Sequence, residues 1–300
     1  MPITRVSDAQ RFDFLTDHAN ELAVSISDLN QQIATGKRLT RPDQDPLGSA
    51  QVVRAQSSLA ALGQYDESTR FGQDVLGAQH DALGQAIDET MARAKELAAD
   101  SSILTPDARS AASHEVDSLL QSLTAIGNSE LAGRRLFGGL ALDGPAPFAD
   151  PLAPGYTAAT AYSGSAAQVS VKIGSGSSER VQISTSGDQI FTSSLQALTD
   201  LKAAFDNDTP RAPSLDAVES AIGDLESERA RVDVRASQLK QRGDQVAALT
   251  VTETAARSHV QDADLVAVIS RLSQAQTALQ ALLAAGAQLS QTNLTDLLQI

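Results

Sequence analysis

Residues 32–48 read QIATGKRLTRPDQDPLG. An apolar-periodic run stops here at Gly36-Lys37-Arg38, two prolines and two aspartates follow, and a second periodic segment begins. The residue types read as a helix stop followed by a helix start. Gly36 can take the left-handed conformation at a helix C-cap, and Lys37 and Arg38 suit the negative end of that helix. Pro42 and Pro46 hold the connector extended. Asp45 can cap the next helix by accepting from its orphan N–H groups, and Pro46 follows where a missing N–H costs nothing. A phosphate loop does not fit, because Gln31 stands where its first glycine is needed and Arg38 where Ser or Thr is needed. A hard-cation site through Asp43 and Asp45 lacks oxygen ligands, since the run supplies only these two carboxylates.

Upstream of the joint, Phe12, Leu15, Ala19, Leu22, Ile26, Leu29 and Ile33 alternate steps of 3 and 4. That is the seam of a coiled-coil strand. The end of the chain repeats it through Leu265, Val268, Leu272, Ala275, Leu279, Leu282, Gly286 and Leu289. The two ends are therefore expected to pair. Asp262 and Asp264, in the VQDADL run just before the last seam, read as an N-terminal helix cap rather than a metal pair. Downstream of the joint, Leu76, Leu83, Ile87 and Leu97 mark a long helix that yields near Asp100. Thr105-Pro106 repeats the cap-then-proline signal, and Val116, Leu119, Leu123 and Ile126 follow on one face. Another long helix opens near Ser214 with Val218, Ile222, Leu225, Val232 and Leu239.

The grammar changes in between. QVSVKIG at 168–174 and RVQIS at 180–184 alternate apolar and polar residues around GSGSSE, a hairpin signal, and Leu195, Leu198, Leu201 and Phe205 suggest a short helix after it. The expected architecture is mainly α: an elongated rod of antiparallel helices with a small β-rich insert. Residues 1–42 and 260–300 would form paired terminal coiled-coil helices, 43–140 and 214–259 a helical bundle, and 141–213 the insert, dispensable for folding of the rod.

Composition supports that reading. Of 300 residues 42% are apolar but only 3% aromatic, so the core must be aliphatic, as in bundles. The net charge of −14 offers no basic face for a nucleic-acid backbone. There is no cysteine, which removes disulfides and thiol catalysis. No stretch approaches a membrane span, and the N-terminal MPITRVSDAQRFDFL lacks the apolar core of a cleaved signal. No nucleophile, base and orienting group cluster in sequence, so neither catalysis nor a cofactor is expected.

The joint also carries a resemblance. QIATGKRLTRPDQDPLGSAQVV (32–53) resembles the N-terminal signature of the bacterial flagellin superfamily, with Ala34 where the family usually has Ser. Residues 260–298 resemble its C-terminal helix with a D-x-D start. GRRLFGGLALDGPAPF (133–148) and GDQIF (187–191) are similar to the hook-associated branch, which joins hook to filament. Flagellin proper usually has F-N-G where this chain has Phe137-Gly138-Gly139, and Arg135 replaces an aromatic usual in that branch. The resemblance implies a structural adaptor at the hook–filament junction, exported through the flagellar channel to the extracellular flagellum. It implies a ring of like subunits as partners, with another hook-associated protein, flagellin, an export chaperone and the export apparatus. It also implies that the two seams pack against neighbouring subunits. A filament subunit is the alternative, a cytoplasmic coiled-coil scaffold a remoter one, and an enzyme acting through Asp43 and Asp45 the remotest.

Overall fold

A computed structural model describes residues 8–103, 105–141, 144–176 and 179–298. Helices dominate: α1 (Asp8–Thr35), α2 (Pro46–Gln85), α3 (Ala92–Ala99), α4 (Pro106–Gly127), α5 (Gly187–Asp206), α6 (Ala212–Gln261) and α7 (Leu265–Leu298). A π-helical stretch, Ala86–Met91, links α2 to α3. The strands form two hairpins, β1 (Glu130–Leu131) with β2 (Arg134–Arg135) and β3 (Ser170–Lys172) with β4 (Arg180–Gln182), both antiparallel. The chain divides into two compact units, Met1–Ala60 with Thr250–Ile300, and Ala61–Leu249. The seam between the expected terminal helices and bundle thus falls inside α2 and α6, not at the joints. Helices without an interruption carry the backbone hydrogen-bond ladder across it.

The first unit pairs α1 with α7. Their direction is antiparallel, since the end of α1 meets the start of α7 while Leu15, near the other end of α1, lies beside Gly286.

The middle unit is a layered bundle. Leu62, Thr69, Leu76 and Leu83 of α2 and Val218, Leu225, Val232, Leu239 and Val246 of α6 are buried at seven-residue steps. The π stretch lengthens the next step to eight, from Leu83 to Met91, after which Ala98 resumes the seven. A π turn takes up an extra residue and so keeps the apolar face of the helix aimed at α4. Thr105 accepts from the Ala108 N–H at 3.2 Å and caps α4 as its sequence indicates.

The segment 141–213 departs from expectation. Its strands are only the three-residue pair β3–β4, with Val171 opposite Val181, and the helix expected at 195–205 is the 20-residue α5, its largest element. It is also no separate insert. Ile173, Val181 and Ile183 join the same core as Leu76 and Leu239, as do Phe148, Ile190, Phe191 and Leu195. A Cβ on Gly72 would come 2.6 Å from Leu239 Cδ1 and 3.1 Å from Ile183 Cγ2, so the glycine lets α2 lie close to both α6 and the hairpin. The reason is burial. An alternating Val/Ile face needs an apolar cover, and α2 and α6 supply it. Gln79 completes the attachment. Fully buried, it donates its amide to Leu136 O at 2.9 Å and Ile183 O at 3.1 Å. Glu228, buried on α6, accepts from Thr185 Oγ1 at 3.1 Å and faces Arg235 at 3.4 Å.

Candidate assembly surface

The joint is built as a helix stop and start. Gly36 has φ +67, the left-handed value expected of a C-cap. Asp45 Oδ1 accepts from the Gly48 N–H at 2.9 Å, and Pro46 is the first residue of α2. That N–H, and then the Arg38 guanidinium 3.4 Å away, hold the Asp45 carboxyl below the usual carboxylate range. Pro42 does not extend the connector. It sits in a turn closed by Gln44 N–H donating to Arg41 O at 3.3 Å, while the Gln44 side-chain oxygen accepts from the N–H groups of Thr40 and Arg41. Asp43 faces Arg41 at 3.6 Å. Among the described residues no group of three His, Asp or Glu side chains is placed to hold a metal ion.

Arg38 does something its sequence position does not show. It was expected to serve the end of α1. Instead its backbone N–H donates to Gln261 O at 2.7 Å and its guanidinium to Val260 O at 2.9 Å. These are terminal carbonyls of α6, left without partners because α6 stops before α7 starts. In return Ala263 N–H donates to Gly36 O at 2.9 Å, and Lys37 bridges Asp262. The two breaks in the helices therefore satisfy each other. Of the two aspartates read as a helix cap, Asp264 caps α7, accepting from the N–H groups of Val266 and Ala267 at 3.1 Å each.

The terminal seams face one another, yet they are incompletely covered. Leu29 and Val268 are buried. Leu15, Leu22, Ile26, Ile33, Leu272, Leu279 and Leu282 are only half-buried. Leu265, expected in the seam, is 44% exposed because it opens the first turn of α7, beside the joint. The side chains of Phe12 and Leu289 lie outside the described residues. Off the seam stand Phe14, Val24, Val266, Ile269 and Leu283, all exposed, with Val266 at 80%. Two helices packed alone cover one stripe each, and these two carry more than one apolar stripe.

The stretches 133–148 and 187–191, remote in sequence, meet in the middle unit. Gly187 N–H donates to Phe137 O at 2.8 Å, and Gly138 bridges Ser186. The rings of Phe137 and Phe191 stand edge to face at 4.9 Å, and Phe148 joins Phe191 at 5.8 Å. Three of the seven phenylalanines in the chain are spent here. Tyr162 adds its ring to Phe148 and donates its hydroxyl to Phe137 O at 3.1 Å.

Two family models match. Residues 15–141 match the bacterial flagellin N-terminal helical region, and residues 215–298 match the bacterial flagellin C-terminal helical region. No curated protein matches the chain in sequence. Several solved structures share the fold. One is a protein from Vibrio parahaemolyticus assigned as flagellar hook-associated, with TM-score 0.62 and 16% identity over 73% of this chain and 100% of that one. FlgL of Bacillus cereus gives TM-score 0.57 and 19% identity, covering 68% of this chain and 99% of its own. The flagellar junction protein FlgL from Legionella pneumophila gives 0.54 and 13%, covering 71% and 100%.

Proposed function

The chain belongs to the bacterial flagellin family, matched at both its N-terminal and C-terminal helical regions, and from that premise we propose that it is the structural adaptor joining hook to filament. The observation that carries the assembly role is the unfinished burial at the chain ends. Leu22, Ile26, Leu272 and Leu279 keep part of their apolar surface in water, and Val266, Ile269 and Leu283 keep more than half. Covering a leucine fully stabilises by about 1.5–3 kcal/mol, so neighbours that close these faces gain much from doing so. The packing residues are Leu15, Leu22, Ile26, Leu29, Ile33, Leu265, Val268, Leu272, Leu279, Leu282 and Leu289. The joint residues Gly36, Pro42, Asp45 and Pro46 set where the paired ends begin.

The junction reading, as against a filament subunit, is supported by the descriptions of the similar solved structures, a hook-associated protein and a junction protein. The partners are then like subunits in a ring, a second hook-associated protein, flagellin, an export chaperone and the export apparatus. The role is packing, not catalysis, and the place of work is the external flagellum, reached through the export channel. Deleting the gene tests this. Hooks that shed unpolymerised flagellin support the junction role. Filaments of normal length on normal hooks refute it, and hooks with no filament subunit made at all point to flagellin instead. Leu22→Asp or Leu279→Asp should reproduce the deletion while the purified variant stays folded.

A further inference from the structure

Between α2 and α6 in the first unit lies an open groove of about 410 Å³, lined by Gln51, Arg54, Ala55 and Ser58 of α2 and by Glu253, Ala256, Arg257 and Val260 of α6. Its floor is small and apolar. Leu47, 78% exposed, stands one turn before Gln51 on the same face and lengthens the apolar track. Arg54 donates only to the Ala50 carbonyl at 3.2 Å, and neither Arg54 nor Arg257 has an ion-pair partner among the described residues. Against the single acid Glu253 the groove is net positive.

The outward face of α1 is its complement. Asp13, Phe14, Asp17, Glu21 and Val24 share one stripe at helical spacing, opposite the seam of Leu15, Leu22, Ile26 and Leu29. Phe14 is 60% exposed and Val24 62%. Asp13 and Asp17 have no basic partner among the described residues, and Glu21 meets only His18, at 2.9 Å. An acidic helix face with two apolar anchors suits a groove between helices with a small-residue floor and unpaired arginines.

We propose that this groove receives the acidic face of α1 from a second copy of the chain. The proposal rests on the assembly reading above and names the contact through which copies meet. Its arginines select the partner face by charge, and Leu47 and the alanine floor take Phe14 and Val24.

The chain has no native cysteine, so introduced ones report cleanly. Asn20, on the α1 stripe, and Gln51, in the groove, are both exposed. The full chain carrying Asn20→Cys and Gln51→Cys is expressed in place of the wild type, and isolated appendages are oxidised. The expected result is a ladder of disulfide-linked dimers and higher species on denaturing gels. Adding Arg54→Glu and Arg257→Glu should weaken the ladder at least tenfold, and adding Asp13→Arg and Asp17→Arg to that variant should restore it. Incorporation into appendages without a ladder overturns the groove contact while leaving the assembly reading intact. A cross-link to a different protein overturns the second copy as occupant. Failure of the wild-type chain to appear in appendages overturns the assembly reading, and the groove contact with it.

Discussion

Leu76 and Leu22 occupy equivalent places in two heptad-like seams, yet Leu76 is fully buried and Leu22 only half so. The same holds across the regions. In the middle unit Leu76, Leu83, Leu225 and Leu239 are all 0% exposed, whereas on α1 and α7 only Leu29 and Val268 fall below a tenth among the described residues. The spacing of the apolar residues does not account for this, since both regions repeat it well. The number of covering layers does. In the middle, residues of α4, α5 and the β3–β4 hairpin join those of α2 and α6 in one core. At the ends α1 and α7 pair with each other. A seam specifies which face a helix buries, and the layers above it decide how dry that face becomes.

The largest test of this contrast removes a covering layer. Phe137→Ala should cost about 3–5 kcal/mol, because it opens a cavity where the 133–148 stretch meets α5. Replacing residues 145–210 by a Gly-Ser linker should strip the cover from Gly72 and Leu239 and lower helicity per remaining residue. Undiminished circular dichroism in that deletion would show the middle bundle to be self-sufficient. Next in size is the direct pair. Leu76→Ala should cost about 2–5 kcal/mol in urea unfolding, and Leu22→Ala about 1 kcal/mol, since half its surface is already wet. Equal losses would erase the distinction. Hydrogen exchange should agree, with α1 and α7 exchanging freely in the monomer while α2 around Leu76 and α6 around Leu225 stay protected.

A smaller effect is expected from Arg38→Ala. It should cost about 1 kcal/mol, and the last turn of α6 should exchange faster together with the end of α1, although Arg38 belongs to neither helix. Acceleration at the end of α1 alone would mean that Arg38 serves only its own neighbour. The smallest effect is that of pH. The Asp45 carboxyl is held low in the folded chain, chiefly by the Gly48 N–H. Its stabilisation is present above the ordinary carboxylate pKa and is lost as pH falls through the lowered folded value. Asp45→Asn should therefore flatten the acid limb of a thermal stability profile for the paired ends and leave the middle unit's limb unchanged.

What was legible in the sequence was local. The stop at Gly36, the caps at Asp45, Thr105 and Asp264, and the seven-residue rungs of α6 need only neighbours within a few positions. The β3–β4 hairpin was legible too, because alternation and a Gly-Ser turn are short-range signals. What stayed hidden depends on partners far along the chain. Gln79 serves carbonyls 57 and 104 residues away, and nothing near it announces a buried amide. Arg38 looked like the dipole partner of the helix it follows, and its true acceptor lies 222 positions on. The middle segment looked like an insert because its composition changes, but its apolar face belongs to the bundle's core. The π stretch escaped because a one-residue slip barely disturbs an apolar pattern rich in alanine. For the assembly surface, the seam residues were readable but the degree to which they stay uncovered was not.

The tie between Arg38 and the end of α6 also fixes an order of events in time. In a disordered chain, bringing together groups 222 residues apart costs roughly 5 kcal/mol or more in closure entropy, which a first hydrogen bond worth about 1 kcal/mol does not offset. The tie cannot nucleate folding. Once α2 and α6 have formed side by side, each partner sits within a few residues of an existing helix and the closure cost is nearly gone. Folding therefore starts in the middle and closes last where the chain ends part from it, and pulse-labelled exchange during refolding reads that order directly.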